Sequence, residues 1–138
     1  MNKLILFFLT INLLAYEDVT ISSKNVNSVY DGDTFKVNIP NYPKIIGKNI
    51  PIRINGIDTP EIRSRCKKEK KLAIQAKYIL VKFLKSAKTI KLSNIQRGKY
   101  FRIVADVYVD DIDIAKVLIN NKLAVPYFGK TKIKDWCK

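Results

Sequence analysis

The sequence predicts a small domain of the α+β class that is mainly β, and two patterns support this prediction. Five short segments alternate apolar and polar residues, as half-buried strands do. One stretch of about 20 residues instead places its apolar residues at helical spacing. At 138 residues, of which 47% are hydrophobic, the chain is long enough for one domain with its own core. Five strands interrupted by one long helix indicate a Greek-key barrel of the OB type.

The first three strands are predicted at residues 26–30, 34–39 and 51–57. In the second strand Phe35, Val37 and Ile39 share one face, which places Asp33 at the end of that apolar face. A carboxylate in that position is costly unless it is paired or bound to a metal. Residues 41–48 contain a Pro and a Gly, which predicts a hairpin connection. Gly56 is expected to form a bulge that redirects Asp58.

The long helix is predicted at residues 68–87, where six apolar side chains form one stripe: Leu72, Ala76, Ile79, Leu80, Phe83 and Leu84. Strands four and five follow at residues 89–95 and 103–109. A short helix is predicted at 113–121, with Asp111 or Asp113 as its N-cap. The tail from residue 126 shows no regular pattern.

The composition limits the possible partners and the possible chemistry. Twenty-six Lys and Arg against 12 Asp and Glu give a net charge of +14, which favours a polyanion partner, nucleic acid first, over a merely solvated surface. The chain has no histidine, which excludes catalytic designs that use imidazole. Any acid–base chemistry must therefore use other side chains.

The first 15 residues have the pattern of an export signal. Lys3 precedes an apolar run at residues 4–14, and Ala15 suits a cleavage site. This run is shorter than the roughly 20 residues that a membrane helix needs, although an uncleaved membrane tether is the alternative. We expect a secreted or periplasmic protein whose domain spans residues 16–138. In an exported protein the two cysteines, Cys66 and Cys137, suggest one disulfide; two free thiols are the alternative.

Two short segments, Asp31-Gly32-Asp33-Thr34 and residues 53–61, gather acids and an arginine. If the strands pair, Asp33, Asp58 and Glu61 meet in space and offer the oxygen ligands that calcium prefers. Taken singly, either segment also fits an ordinary turn, in which Asp is common. Arg53, on a strand in a lysine-rich chain, suggests bidentate binding of a phosphate; a surface ion pair is the alternative.

Basic and aromatic residues follow the fourth strand. Arg102 comes just after Lys99 and Tyr100 and begins the last strand. Tyr100 follows Lys99 and Tyr127 lies three residues before Lys130, so either can stack on a nucleic-acid base. Packing at the rim of the fold explains the two tyrosines equally well.

These motifs together resemble those of the staphylococcal nuclease (thermonuclease) family. Asp31-Gly32-Asp33-Thr34 matches its Asp-Gly-Asp-Thr turn. Arg53, four residues, and then Asp58-Thr59-Pro60-Glu61 match its Arg-x4-Asp-Thr-Pro-Glu signature, and Lys99-Tyr100-Phe101-Arg102 resembles its Lys-Tyr-Gly-Arg element. The resemblance extends from about Val26 to Tyr127.

The resemblance implies a five-stranded OB barrel and calcium-dependent cleavage of DNA and RNA that leaves 3′-phosphates. It implies roles by position: Asp33, Asp58 and the Thr59 carbonyl as calcium ligands, Glu61 as general base, Arg53 and Arg102 as a phosphate clamp, Lys99, Tyr100 and Tyr127 as substrate contacts, and Asp31 as support for the ligands. No obligate protein partner is expected, and the chain is expected to be a monomer.

The chain also departs from the family pattern. Phe101 replaces the small glycine before the arginine, the loop after Glu61 is short, and the last family helix is absent. We expect the Cys66–Cys137 link to compensate for that helix. The rival interpretations are a noncatalytic nucleic-acid-binding module on the same barrel and a structural or adhesion protein. The intact acids and arginines favour the enzyme.

Overall fold

The computed structural model describes residues 17–138. The predicted export signal and the predicted domain boundary at residue 16 lie outside these residues. The strands in chain order are β1 (Val19–Ile21), β2 (Val26–Val29), β3 (Thr34–Val37), β4 (Ile50–Ile54), β5 (Ile57–Asp58), β6 (Ile90–Arg97), β7 (Ile103–Val109), β8 (Ile112–Asp113) and β9 (Val125–Pro126). The helices are α1 (Lys44–Gly47), α2 (Lys67–Ser86) and α3 (Ile114–Asn120).

The main sheet has the strand order β1-β6-β7-β4-β3-β2, in which β4 and β7 run parallel and the other pairs run antiparallel. Its two outer strands, β1 and β2, are joined by only four residues. In a flat sheet those strands would lie about 24 Å apart, whereas the chain from Ile21 to Val26 spans at most about 18 Å. The sheet must therefore curl, and it forms the predicted OB-type half-barrel.

The core fills the concave side of this sheet and continues under α2. Phe35, Val37 and Ile39 are at most 4% exposed, as their alternation predicts. Four residues of α2 are buried, namely Ala73, Ala76, Leu80 and Leu84, and the stripe residues Leu72, Ile79 and Phe83 are partly buried against the core. The predicted long helix is thus confirmed, with its bounds shifted by one residue. Asp113 caps α3 by accepting the Lys116 N–H at 3.2 Å.

Several elements differ from the prediction. The expected hairpin connection contains the short helix α1. The expected third strand divides at a two-residue turn into β4 and β5, because Gly56 has φ +74° and forms a turn rather than a bulge. Strands β1, β5, β8 and β9 are only two or three residues long, too short for alternation to reveal. Within residues 17–138, no helix has the length and apolar character needed to cross a bilayer.

Candidate active site

The Asp31–Thr34 turn places two carboxylates beneath α2. Asp31 accepts the Asp33 N–H at 3.1 Å, an Asx-type contact that fixes the turn. A Cβ atom on Gly32 would lie 2.5 Å from the Cβ of Ala76 and 3.2 Å from that of Thr59. Only glycine lets the helix pack this closely on the turn, so Gly32 sets the position of Asp33 relative to the Asp58 segment.

The Gly32→Ala variant is expected to lose about 1–3 kcal/mol of stability, the usual cost of overpacking, and to displace the turn. The double variant Gly32→Ala/Ala76→Gly is expected to recover part of the loss, less the roughly 1 kcal/mol that a glycine costs within a helix. Urea unfolding of the two single variants and the double variant measures the coupling. A Gly32→Ala protein as stable as the wild type would contradict this close packing.

Arg53 lies on β4 directly opposite Thr34 of β3, which brings its guanidinium to the acidic turn. Nη1 forms an ion pair with Asp33, Nη2 lies 3.8 Å from Asp58 Oδ1, and Nη2 also donates to the Ile57 carbonyl at 3.0 Å. Burial alone would lower the pKa of Arg53, but the ion pair with Asp33 outweighs it and raises that pKa. Arg53 therefore bridges the two segments that the sequence singled out.

Thr59 and Asp33 form a second link between these segments. Asp33 Oδ2 accepts the Thr59 N–H at 3.3 Å and the Thr59 hydroxyl at 3.1 Å, and Asp33 Oδ1 accepts the Thr34 hydroxyl at 2.8 Å. Asp33, Asp58 and Thr59 are each 3–4% exposed. Buried carboxylates require charged or hydrogen-bonding partners, and each of these has them.

Lys132 is a member of the cluster that the sequence did not indicate. Its ammonium lies 2.8 Å from Asp58 Oδ1 and 2.9 Å from Glu61 Oε1. Although burial opposes the charge, the hydrogen bonds to Asp58 and Glu61 prevail and raise the pKa of Lys132. It is one of 21 lysines and lies on an irregular tail, so no periodicity or motif marks it.

A cleft of about 970 Å³ opens over this cluster. Seven of the predicted site residues line it, together with Lys132: Asp31, Asp33, Arg53, Glu61, Lys99, Arg102 and Tyr127. Asp58 and Thr59 lie buried behind its wall. Tyr100 does not line the cleft; its side chain points to solvent and is 89% exposed. Arg102 Nε is buried with no hydrogen-bond partner among the described residues, so one donor at the cleft is unsatisfied.

The segment before Arg102 is strained. Tyr100 has φ +56° and Phe101 has φ +62°, and this left-handed conformation costs a non-glycine residue roughly 1–2 kcal/mol. The Phe101 ring lies 5.4 Å from the Arg97 guanidinium, a favourable cation–π contact that offsets part of the strain. A glycine adopts this backbone without strain, so Phe101 adds strain where the family pattern has glycine.

The charges of the cluster suit a divalent cation. Four carboxylates (Asp31, Asp33, Asp58 and Glu61) lie around the cations of Arg53 and Lys132. Burial, followed by the charge of Asp33, raises the pKa of Asp31 to about 7. Hard oxygen donors of this kind fit calcium, so the residues present fit the ion that the resemblance implies.

The carboxylate oxygens of the acidic cluster do not converge on a single point. Between residues 17 and 138, the one set of three Cys, Asp or Glu side chains with ligand atoms within 4.8 Å of one another is Cys66, Glu69 and Cys137. The structure joins the sulfur atoms of that set to each other, with Cα atoms 6.0 Å apart. In the acidic cluster, by contrast, the Lys132 ammonium lies between Asp58 and Glu61.

The joined cysteines hold the tail beside the cleft. Cys66 is the N-cap of α2 and accepts the Glu69 N–H at 3.3 Å. Glu69 in turn accepts the Glu61 N–H at 2.9 Å, so the Glu61 loop, the start of α2 and the C-terminal tail meet at one place. Trp136, next to Cys137, is only 7% exposed and adds a hydrophobic anchor.

More than half of the chain matches the model of a known protein family. A family model described as staphylococcal nuclease homologue matches residues 51–136, more than half of the chain. The Asp31–Thr34 turn lies outside the matched segment, so its part in the site rests on the contacts above. A search of curated proteins finds no significant match. A domain of this kind is a nuclease or a nucleic-acid-binding module, and the match together with the half-barrel shows that this chain belongs to the staphylococcal nuclease homologue family.

Proposed function

We propose that the protein is an exported, calcium-dependent nuclease that hydrolyses DNA and RNA without regard to the sugar and leaves 3′-phosphates. The observation that carries the proposal is the cleft, which holds two arginines and a carboxylate over buried acids. The charge of +14, or +13 once Lys3 is removed with the export signal, favours attraction of any polynucleotide to this cleft and makes binding salt-dependent.

Each side chain has a role that suits its place. Arg53 and Arg102 bind the scissile phosphate and stabilise the charge that develops on it. Both arginines line the cleft, which supports this role. Lys99 and Tyr127 contact the rest of the substrate from the walls of the cleft. Tyr100, exposed at the rim, contacts substrate that extends beyond it.

Glu61 is the general base. Its side chain is about half exposed, so a water molecule can reach it, and with no histidine in the chain a carboxylate is the suitable acceptor for the water's proton. The activated water attacks phosphorus, the bond to the 5′-oxygen breaks, and that oxygen takes a proton from solvent, which leaves the phosphate on the 3′ side. Calcium, held by Asp33, Asp58 and the Thr59 carbonyl with Asp31 in support, would neutralise phosphate charge.

The proposal includes the state of the exported protein. Residues 1–15 direct export and are removed, with retention as a membrane tether the alternative. Cys66 and Cys137 form a disulfide after export. The protein acts as a monomer on DNA and RNA and needs no obligate protein partner.

The decisive test separates an enzyme from a noncatalytic binding module. Purified protein is incubated with single-stranded DNA and with RNA, in calcium and in EGTA, and the products and their ends are analysed. We expect both substrates to be degraded in calcium and to remain intact in EGTA. Full activity in EGTA would overturn the calcium assignment, and retention of substrate on a filter without cleavage in calcium would favour the binding module.

A further inference from the structure

Lys132 contacts two residues that the proposed reaction assigns to different tasks. Its ammonium reaches Asp58 Oδ1 at 2.8 Å and Glu61 Oε1 at 2.9 Å. Asp58 is a proposed calcium ligand, and Glu61 is the proposed base. The family signature in residues 53–61 contains no lysine, so this contact is supplied by the C-terminal tail.

The ammonium lies beside a buried carboxylate. The Asp58 side chain is 6% exposed, and a buried carboxylate without a close cation is strongly destabilising. Arg53 lies 3.8 Å from Asp58 Oδ1, so Lys132 is the nearer of the two cations. A lysine ammonium is a compact point charge with several donors, which lets it replace a small metal ion against two carboxylates.

The tail is anchored so that Lys132 stays near the cluster. Five residues after Lys132, Cys137 is joined to Cys66 at the start of α2, and Trp136 is buried beside it. The Lys132 side chain itself remains 47% exposed, so it has room to move toward solvent. The anchored tail gives the Lys132 ammonium a high effective concentration at the carboxylates. Because its side chain is partly exposed, another cation can still displace it.

We propose that Lys132 is a built-in cation of the acidic cluster, which occupies Asp58 in the metal-free protein and competes with calcium for it. This inference rests on the proposed calcium site. Calcium must displace the ammonium from Asp58 or bind close beside it, and like charges at a few ångströms repel. The anchored tail thereby lowers the affinity for calcium and keeps the buried acids neutralised until the ion arrives.

The test is a calcium titration by isothermal calorimetry, which reports metal binding without reference to activity. Lys132→Met keeps the length of the side chain and removes the charge. We expect its Kd for calcium to fall by about tenfold or more, since the ion carries two charges. Lys132→Arg, which keeps the charge, is expected to bind calcium as weakly as the wild type. Lys130→Met is the matched control, because it removes one exposed charge from the same tail.

A second variant acts on the anchor instead of the charge. Cys66→Ser/Cys137→Ser frees the tail and is expected to lower the calcium Kd in the same direction, in protein shown to be folded by circular dichroism. If Lys132→Met does not fold, Lys132→Gln removes the same charge and can still hydrogen-bond to the two carboxylates, which keeps the inference testable. Unchanged calcium affinity in the folded serine variant would contradict the role of the tether.

The outcomes distinguish this inference from the proposed function. A lower calcium Kd for Lys132→Met than for Lys130→Met supports the inference. The same comparison holds if the wild type binds calcium too weakly to measure. Equal affinity in the wild type and Lys132→Met, or weaker affinity in the variant, overturns the inference and leaves the calcium site intact. If neither protein binds calcium, the calcium site is overturned and the inference with it.

Discussion

Replacing Glu61 with glutamine is expected to lower the turnover number for DNA cleavage by about 10²–10⁴-fold, the usual contribution of a general base. Glutamine has nearly the same shape but cannot accept a proton at neutral pH. Because the Glu61 carboxylate is about half exposed and paired with Lys132, its loss removes only a weak ion pair. The free energy of unfolding should therefore change little, and the loss of activity can be assigned to chemistry.

The measurement is the turnover number at saturating calcium and substrate, with urea unfolding as the check on stability. Glu17→Gln is the matched control, since it makes the same change at an exposed position near β1. Near-normal turnover in Glu61→Gln would remove Glu61 from the role of base. A large loss of stability would instead indicate that Glu61 mainly holds the loop.

The Cys66→Ser/Cys137→Ser variant is expected to lose roughly 4–5 kcal/mol of stability. The two positions are 71 residues apart, and closing so long a loop greatly reduces the freedom of the unfolded chain. For a domain of this size the corresponding fall in Tm is roughly 15–20 °C.

Urea unfolding of the oxidised wild type and the double serine variant measures this contribution. Wild type treated with a reducing agent is the matched comparison, because it breaks the same link without a substitution. Thiol titration of the unreduced wild type should find no free cysteine. Two titratable thiols, or equal stability of the oxidised and reduced proteins, would contradict the disulfide.

Much of the fold could be predicted because its signals are local. The alternation of Phe35, Val37 and Ile39 fixes which face of β3 is buried, and the apolar stripe of residues 68–87 fixes α2. The short strands gave no such signal. Strand β1 has three residues and is ordered by pairing with β6, far along the chain, so tertiary contacts rather than propensity determine it.

Site residues that belong to a sequence motif could be predicted. Residues that only the folded structure brings to the site could not. Asp33 could be placed on the apolar face from strand parity alone, and the resemblance marked Arg53 and Glu61. Lys132 could not be found, because its position follows from the joined cysteines and from attraction to Asp58. For Tyr100 the sequence left base stacking and packing at the rim equally open, because its placement depends on a left-handed backbone that aromatic residues rarely adopt.

The pairing of β1 and β4 with strands far along the chain determines the order of folding. Strand β1 needs β6 as its partner, and Val19 pairs with Leu92; β4 likewise waits for β7, where Ile52 pairs with Ile103. Contacts so distant in sequence make folding slow, on the scale of milliseconds to seconds. Strand β1 is therefore synthesised before the other described strands but is among the last to pair. The barrel closes only after the residues beyond position 90 have been synthesised.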